Sequence, residues 1–108
     1  MSGTNLIRGH VYRAVVDHVE GQKPYLIVSN NQRNAALESV LAVRITTSPK
    51  RPLRSIVELE AGVDPLVGRV LCDDLNQLWA DEVVADLGAV SPGTMRRVND
   101  ALRVALGL

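Results

Sequence analysis

The sequence predicts an α+β domain: a small curled sheet or barrel, rich in antiparallel pairing, with one amphipathic helix at the C-terminal end lying across its open side. Three observations point there. Five or six short runs of Val, Ile, Leu and Ala are separated by turn chemistry; apolar residues recur at helical spacing at the end of the chain; and 108 residues are enough to bury one core without metals or disulfides. Apolar residues make up 46% and charged residues 22%, so the chain should fold as one domain over residues 1–108 rather than stay disordered. With no Phe and 3% aromatics, base-stacking platforms are scarce.

HVYRAVVDHV, residues 10–19, alternates around Val11, Ala14 and Val16 and reads as a first strand, broken by EGQKP. YLIVSN, residues 25–30, is a second strand whose continuous apolar middle predicts burial on both faces. NQRNAALES fits a loop or a single helical turn. SVLAVRITT, residues 39–47, is a third strand rich in β-branched residues. SPKRP holds two prolines and must be an exposed loop before a fourth strand, SIVELE. GVDPLVG is a turn, and GRVLCDD, residues 68–74, a fifth strand. DLNQLWADE reads as a helical turn and EVVADLGAV as a sixth strand. In SPGTMRRVNDALRVALGL, Ser91 is a helix N-cap and Pro92 suits the first helical position. Met95, Val98, Leu102, Ala105 and Leu106 form the apolar stripe there, with Arg96, Arg97, Asp100 and Arg103 on the wet side.

The formal net charge is zero, yet charge is unevenly spread. Residues 44–54 hold Arg44, Lys50, Arg51 and Arg54 with no acid, whereas residues 61–90 hold Asp64, Asp73, Asp74, Asp81, Glu82 and Asp86 against Arg69 alone. A solvated basic loop is the ordinary reading of such a run; an anionic partner is the other. Cys72 is the sole cysteine, which excludes an intramolecular disulfide and a cysteine-rich zinc site and points to a reducing cytoplasm. No basic-then-apolar leader opens the chain and no apolar run is long enough for a bilayer, so a protein neither secreted nor membrane-embedded is expected.

Metal catalysis has little support. His10 and His18 are eight residues apart without ligand-like acidic spacing, Cys72 lies within an apolar strand, and no glycine-rich phosphate cradle is present. Asp73 and Asp74 are adjacent, so on a regular strand they face opposite ways and make a poor carboxylate pair. What remains is cations and hydroxyls: Lys23 ahead of Pro24, and Arg44, Thr46, Thr47 and Ser48 leading into the basic loop. Such a set can hold a phosphate, stabilise charge on its oxygens and donate a proton. RNA brings its own nucleophile, the 2′-hydroxyl. The same residues are also ordinary for a strand entry and a strand end.

The order of segments resembles the MazF/PemK family of toxin endoribonucleases from bacterial toxin–antitoxin modules. RGHVY at 8–12 is similar to the family's opening strand. KPYLIVSNNQRN at 23–34 is similar to its next segment at Pro24, Val28, Ser29, Asn30 and Asn34. ITT at 45–47, the basic loop and VEL at 57–59 follow the same order, as do RVLCDDLNQL and the closing helix. The resemblance runs from about residue 7 to the end.

It implies a MazF/CcdB-like, SH3-like barrel, a homodimer, an antitoxin of MazE type whose acidic tail occupies the RNA groove, and no cofactor. It also implies metal-independent cleavage of single-stranded RNA, leaving a 2′,3′-cyclic phosphate and a 5′-hydroxyl. The family's catalytic arginine and threonine fall on Lys23 and Thr46. Arg44, Thr47, Ser48, Lys50, Arg51 and Arg54 would contact the RNA backbone, and Asp73, Asp74 and Asn76 would line the groove. Asn30, Asn31 and Asn34 more naturally satisfy loop backbone.

Two departures stand out. Lys23 replaces an arginine fork by a point charge, and Asp74-Leu75-Asn76 stands where the family prefers Gln, an aliphatic and a basic residue. Two competing readings follow: a CcdB-like poison that binds gyrase through the helix end, and a weakened member that binds RNA or antitoxin without turnover.

Overall fold

The computed structural model describes residues 3–17 and 19–108; His18 lies outside them. Six strands form one antiparallel sheet in the order β4-β5-β3-β2-β1-β6. They are β1 His10–Ala14, β2 Lys23–Ile27, β3 Ser39–Thr46, β4 Ile56–Glu58, β5 Arg69–Trp79 and β6 Val83–Ala89. A short helix, α1 Asn31–Ala36, links β2 to β3, and α2, Pro92–Leu106, closes the chain.

The two faces of the sheet carry separate cores. Leu26, Val43, Ile45, Val57 and Val70 pack with Val98 and Ala101 of α2 on one face. Tyr25, Ile27, Val40, Ala42 and Leu78 pack with Tyr12 and Ala14 on the other. Alternate residues of β2 thus feed different cores, as its unbroken apolar run predicts. Edge strands β4 and β6 are not paired with each other, yet Val57 and Leu59 share a cluster with Leu87 and Val90. The sheet is therefore curled, with α2 packed on β5 and β4 across the opening.

Helix α2 begins as its sequence dictates. The Ser91 hydroxyl accepts from the Thr94 N–H at 3.1 Å, Pro92 occupies the first turn, and Gly107 ends the helix in the left-handed conformation at φ 71°. Its buried face is Thr94, Val98 and Ala101, with Met95 and Leu102 alongside, while Leu106 is 52% exposed, against expectation. The last residue of α2 packed on the core is Leu102, four residues before Leu106. Asp64 anchors the helix start: its carboxylate accepts from the Glu60 N–H at 2.7 Å, the Ser91 N–H at 2.8 Å and the Thr94 hydroxyl at 2.7 Å. Arg8 ties down the middle of the helix, donating to the Val28 carbonyl and to Asn99 Oδ1.

Two predicted elements differ from expectation. The first strand ends at Ala14, and Val15 continues off the ladder by donating to the Glu82 carbonyl at 2.9 Å. The predicted helical turn over 74–82 is instead strand: β5 runs on to Trp79, because Leu75, Asn76, Gln77, Leu78 and Trp79 pair with Val43 through Ser39. Only Ala80–Glu82 turns, as a 3₁₀ helix. Tertiary pairing here overrides the weak helical preference of the segment.

Asn30, Asn31 and Asn34 serve the backbone. Asn30 caps α1 by accepting from the Arg33 N–H at 2.8 Å, and Asn31 Oδ1 accepts from the Arg8 N–H at 2.7 Å. Asn34, 1% exposed, accepts from the Ser29 hydroxyl at 2.5 Å and donates to the Ser29 carbonyl at 3.1 Å.

Candidate active site

Strands β2 and β3 pair antiparallel with Tyr25 opposite Arg44, Leu26 opposite Val43 and Ile27 opposite Ala42. Tyr25 and Arg44 are the last pair of this ladder, and beyond them Lys23, the first residue of β2, and Thr46, the last of β3, lie at the same end of the two strands. Residues directly opposite in an antiparallel pair project to the same face. Lys23, Arg44 and Thr46 accordingly line one cavity of about 280 Å³ with Gln22, Thr47 and Ser48. This is the face away from α2, shared with Tyr25 and Ala42.

The cavity is cationic. Among the described residues neither Lys23 nor Arg44 has a carboxylate within ion-pair distance. Thr46 Oγ1 accepts from the Ser48 N–H at 3.1 Å, which occupies one lone pair and leaves the hydroxyl proton free to donate outward. Arg44 Nε is shielded from water and has no hydrogen-bond partner among the described residues. Burial raises the phenol pKa of Tyr25, while the positive charge of its cross-strand neighbour Arg44 acts in the opposite sense. Gly68, at φ 149°, holds the far side: a Cβ there would lie 2.7 Å from the Thr46 carbonyl oxygen.

A second cavity of about 340 Å³ is lined by Lys50, Ile56, Leu71, Asp73 and Asp74. Arg44 and Leu71, which border different cavities, are cross-strand partners. The expectation that Asp73 and Asp74 face opposite ways is corrected here. Val43 pairs with Leu75 but Arg44 with Leu71, so Cys72, Asp73 and Asp74 form a bulge without partners on β3. A bulge breaks the alternation of a strand, and both carboxylates border the same cavity. Asn76 Nδ2 donates to the Asp74 carbonyl and to its Oδ1, both at 3.0 Å. Cys72 is buried behind them; desolvation, together with the Asp73 charge, pushes its thiol up to about 12.

The remaining basic residues separate. Lys50 joins the carboxylate cavity, Arg51 is exposed on the loop, and Arg54 lines a third cavity with Arg97, Asp100 and Val104 beside α2. His10 sits elsewhere, its Nδ1 3.2 Å from Asp86 Oδ1 across β1 and β6. Among the described residues no three His, Cys, Asp or Glu side chains gather as metal ligands. Sequence reasoning passed over Gln22, which lines the first cavity and is adjacent to Lys23, and Gly68, whose only signal is a glycine just before a strand.

A family model of PemK-like, MazF-like toxins of type II toxin–antitoxin systems matches residues 7–106. This chain belongs to that family. Endoribonuclease MazF1 of Mycobacterium bovis is 45% identical over 102 residues, which cover 94% of this chain and 93% of the relative. Endoribonuclease MazF4 of Mycobacterium tuberculosis matches to the same extent. Among solved structures, an endoribonuclease in complex with its cognate antitoxin from a mycobacterial species superposes with a TM-score of 0.88 at 45% identity, covering 95% of this chain and 96% of that one. A MazE–MazF complex from Deinococcus radiodurans superposes at 0.79 with 22% identity, a likeness of fold alone. The MazF-type α+β fold, six antiparallel strands with a C-terminal helix, is thus the fold of this chain. Among its described residues no helix is long and apolar enough to cross a membrane.

Proposed function

We propose that residues 1–108 act as one endoribonuclease toxin domain that cuts single-stranded RNA in the Lys23–Thr46 cavity. The observation that carries this reading is that two residues far apart in sequence, a lysine and a threonine, meet at the ends of paired strands β2 and β3 in one cavity whose cations are not spent on carboxylates among the described residues. The relation to mycobacterial endoribonucleases supports it.

The 2′-oxygen attacks the adjacent phosphorus as its proton passes to water. The bond from phosphorus to the 5′ oxygen breaks, and the Lys23 ammonium gives a proton to that oxygen and recovers one from solvent. The products are a 2′,3′-cyclic phosphate and a 5′-hydroxyl, with no water consumed and no metal required. Thr46 donates to a phosphate oxygen, stabilising the charge that builds there. Arg44, Thr47 and Ser48 complete the anion site, and Lys50, Arg51 and Arg54 draw the RNA backbone in. Asp73 and Asp74, the latter held by Asn76, repel phosphate and accept hydrogen bonds from base amines, so their cavity reads a base beside the cut.

The chain acts in the cytoplasm as a homodimer, restrained by an antitoxin of MazE type whose acidic segment competes for the cationic groove. A relative solved with its cognate antitoxin supports that partner. The test is incubation of the purified protein with single-stranded RNA in EDTA, followed by mapping of 5′-hydroxyl ends and, separately, measurement of mass in solution. RNA that stays intact while gyrase is inhibited would replace this reading with the CcdB-like one. Tight RNA binding without turnover would replace it with a non-catalytic one.

A further inference from the structure

Lys23 carries one compact charge on a flexible stem and cannot present two parallel donors to two phosphate oxygens. Arg44 can. It stands two residues before Thr46 on β3, so both side chains project to the same face, and both line the cavity with Lys23. Its position is fixed from both sides, by Tyr25 across β2 and Leu71 across β5.

Its donors are idle. Among the described residues it makes no ion pair, and its Nε is shielded from water without an acceptor. An unsatisfied buried donor is unfavourable, the more so on a charged group. Folded proteins keep such a group where something outside the chain completes it. An anion entering the cavity is the missing acceptor, and a small turn of the guanidinium brings its fork onto two oxygens of one phosphate.

We propose that Arg44 is the clamp on the scissile phosphate, which leaves Lys23 to give its proton to the departing 5′ oxygen. This division of labour rests on the ribonuclease reading above and explains how a lysine serves where the family carries an arginine. Clamp and proton donor are then separate side chains on adjacent strands.

The test compares the wild-type protein with Arg44→Lys and Arg44→Gln on a short single-stranded RNA containing one mapped cleavage site, under single-turnover conditions. Each non-bridging oxygen of the cleaved linkage is replaced in turn by sulfur. Arg44→Lys keeps the charge and should keep the melting temperature, yet lose about a hundredfold in rate, the scale for removing one preorganised donor at a charged intermediate. Wild type should be slowed by sulfur at either non-bridging oxygen and Arg44→Lys distinctly less so, because the paired contacts that sense the two oxygens are gone. Should Arg44→Gln prove unstable, Arg44→Lys alone carries the comparison. Cleavage that depends on Lys23 and Thr46 but proceeds at wild-type rate in Arg44→Lys would overturn the clamp and leave the ribonuclease reading standing. Equal sulfur sensitivity in wild type and Arg44→Lys would also overturn it. RNA left intact by the wild-type protein would overturn both.

Discussion

Lys23 at the first position of β2 and Thr46 at the last position of β3 lie at the same end of two paired strands and border a single cavity. The pairing of Tyr25 with Arg44, two residues inward on each strand, holds these strand ends side by side. Replacing either residue by Ala should lower RNA cleavage about a hundredfold while leaving the melting temperature nearly unchanged, the scale for losing a proton-transfer group at Lys23 or a preorganised donor at Thr46. Wild-type rates in both variants, measured on a mapped oligonucleotide, would remove Lys23 and Thr46 from the chemistry.

Lys50, Arg51 and Arg54 are exposed and without a carboxylate partner among the described residues. Each should act through the RNA backbone alone. For single strands every neutralised phosphate contributes about 0.7 to the slope of log affinity against log salt. Changing any one of the three to Ala should reduce the slope by about that amount and weaken all sequences equally, as read by fluorescence titration at several salt concentrations.

The bulge at Cys72–Asp74 places Asp73 and Asp74 at one cavity with Lys50. Asp74→Asn turns a pure acceptor into a mixed donor and acceptor at the point where a base amine would bind. The expected outcome is a change in the cleaved sequence worth about 1–3 kcal/mol of discrimination, with the best-site rate largely kept. End mapping on a long transcript measures it; an unchanged cleavage sequence places those carboxylates outside the reading contacts.

Asp64 couples stability to pH. Burial alone would raise its carboxyl pKa, but donation from the Glu60 N–H, the Ser91 N–H and the Thr94 hydroxyl, with the Arg97 charge, outweighs burial and holds it below the usual 3.8. The charged form is therefore favoured in the folded state. Its contribution is complete above the unfolded value and is lost as pH falls through the lower folded one. Acid melts of wild type and Asp64→Ala should converge in that window, and near neutral pH the variant should be destabilised by about 3 kcal/mol, the cost of orphaning buried donors to a charged acceptor. Parallel acid limbs in the two proteins would contradict this.

Gly68 buttresses the site. With φ at 149° and a hypothetical Cβ 2.7 Å from the Thr46 carbonyl oxygen, Gly68→Ala should destabilise by about 2 kcal/mol and displace the end of β3. Cleavage should then fall further than stability explains, measured well below the melting temperature.

The sequence by itself determined the elements with strong local signals. Ser91, Pro92 and the spacing of Met95, Val98 and Leu102 specify α2; the unbroken run Tyr25–Val28 specifies a strand buried on both faces; and Asn30 and Asn34 read as backbone-satisfying amides. Each of these follows from interactions within a few residues. The order of the segments carried the family resemblance, and with it Lys23 and Thr46.

Only the tertiary structure decided what depends on register. The extension of β5 to Trp79 is set by β3 lying alongside, and the three-residue bulge that turns Asp73 and Asp74 to one cavity comes from the mismatch between Val43–Leu75 and Arg44–Leu71. The basic run 44–54 reads as one patch along the chain, but the fold sends Arg44, Lys50 and Arg54 to three different cavities. The physical reason is that cross-strand partners are chosen by packing and ladder hydrogen bonds between distant segments, and a shift of one residue reverses which face a side chain occupies.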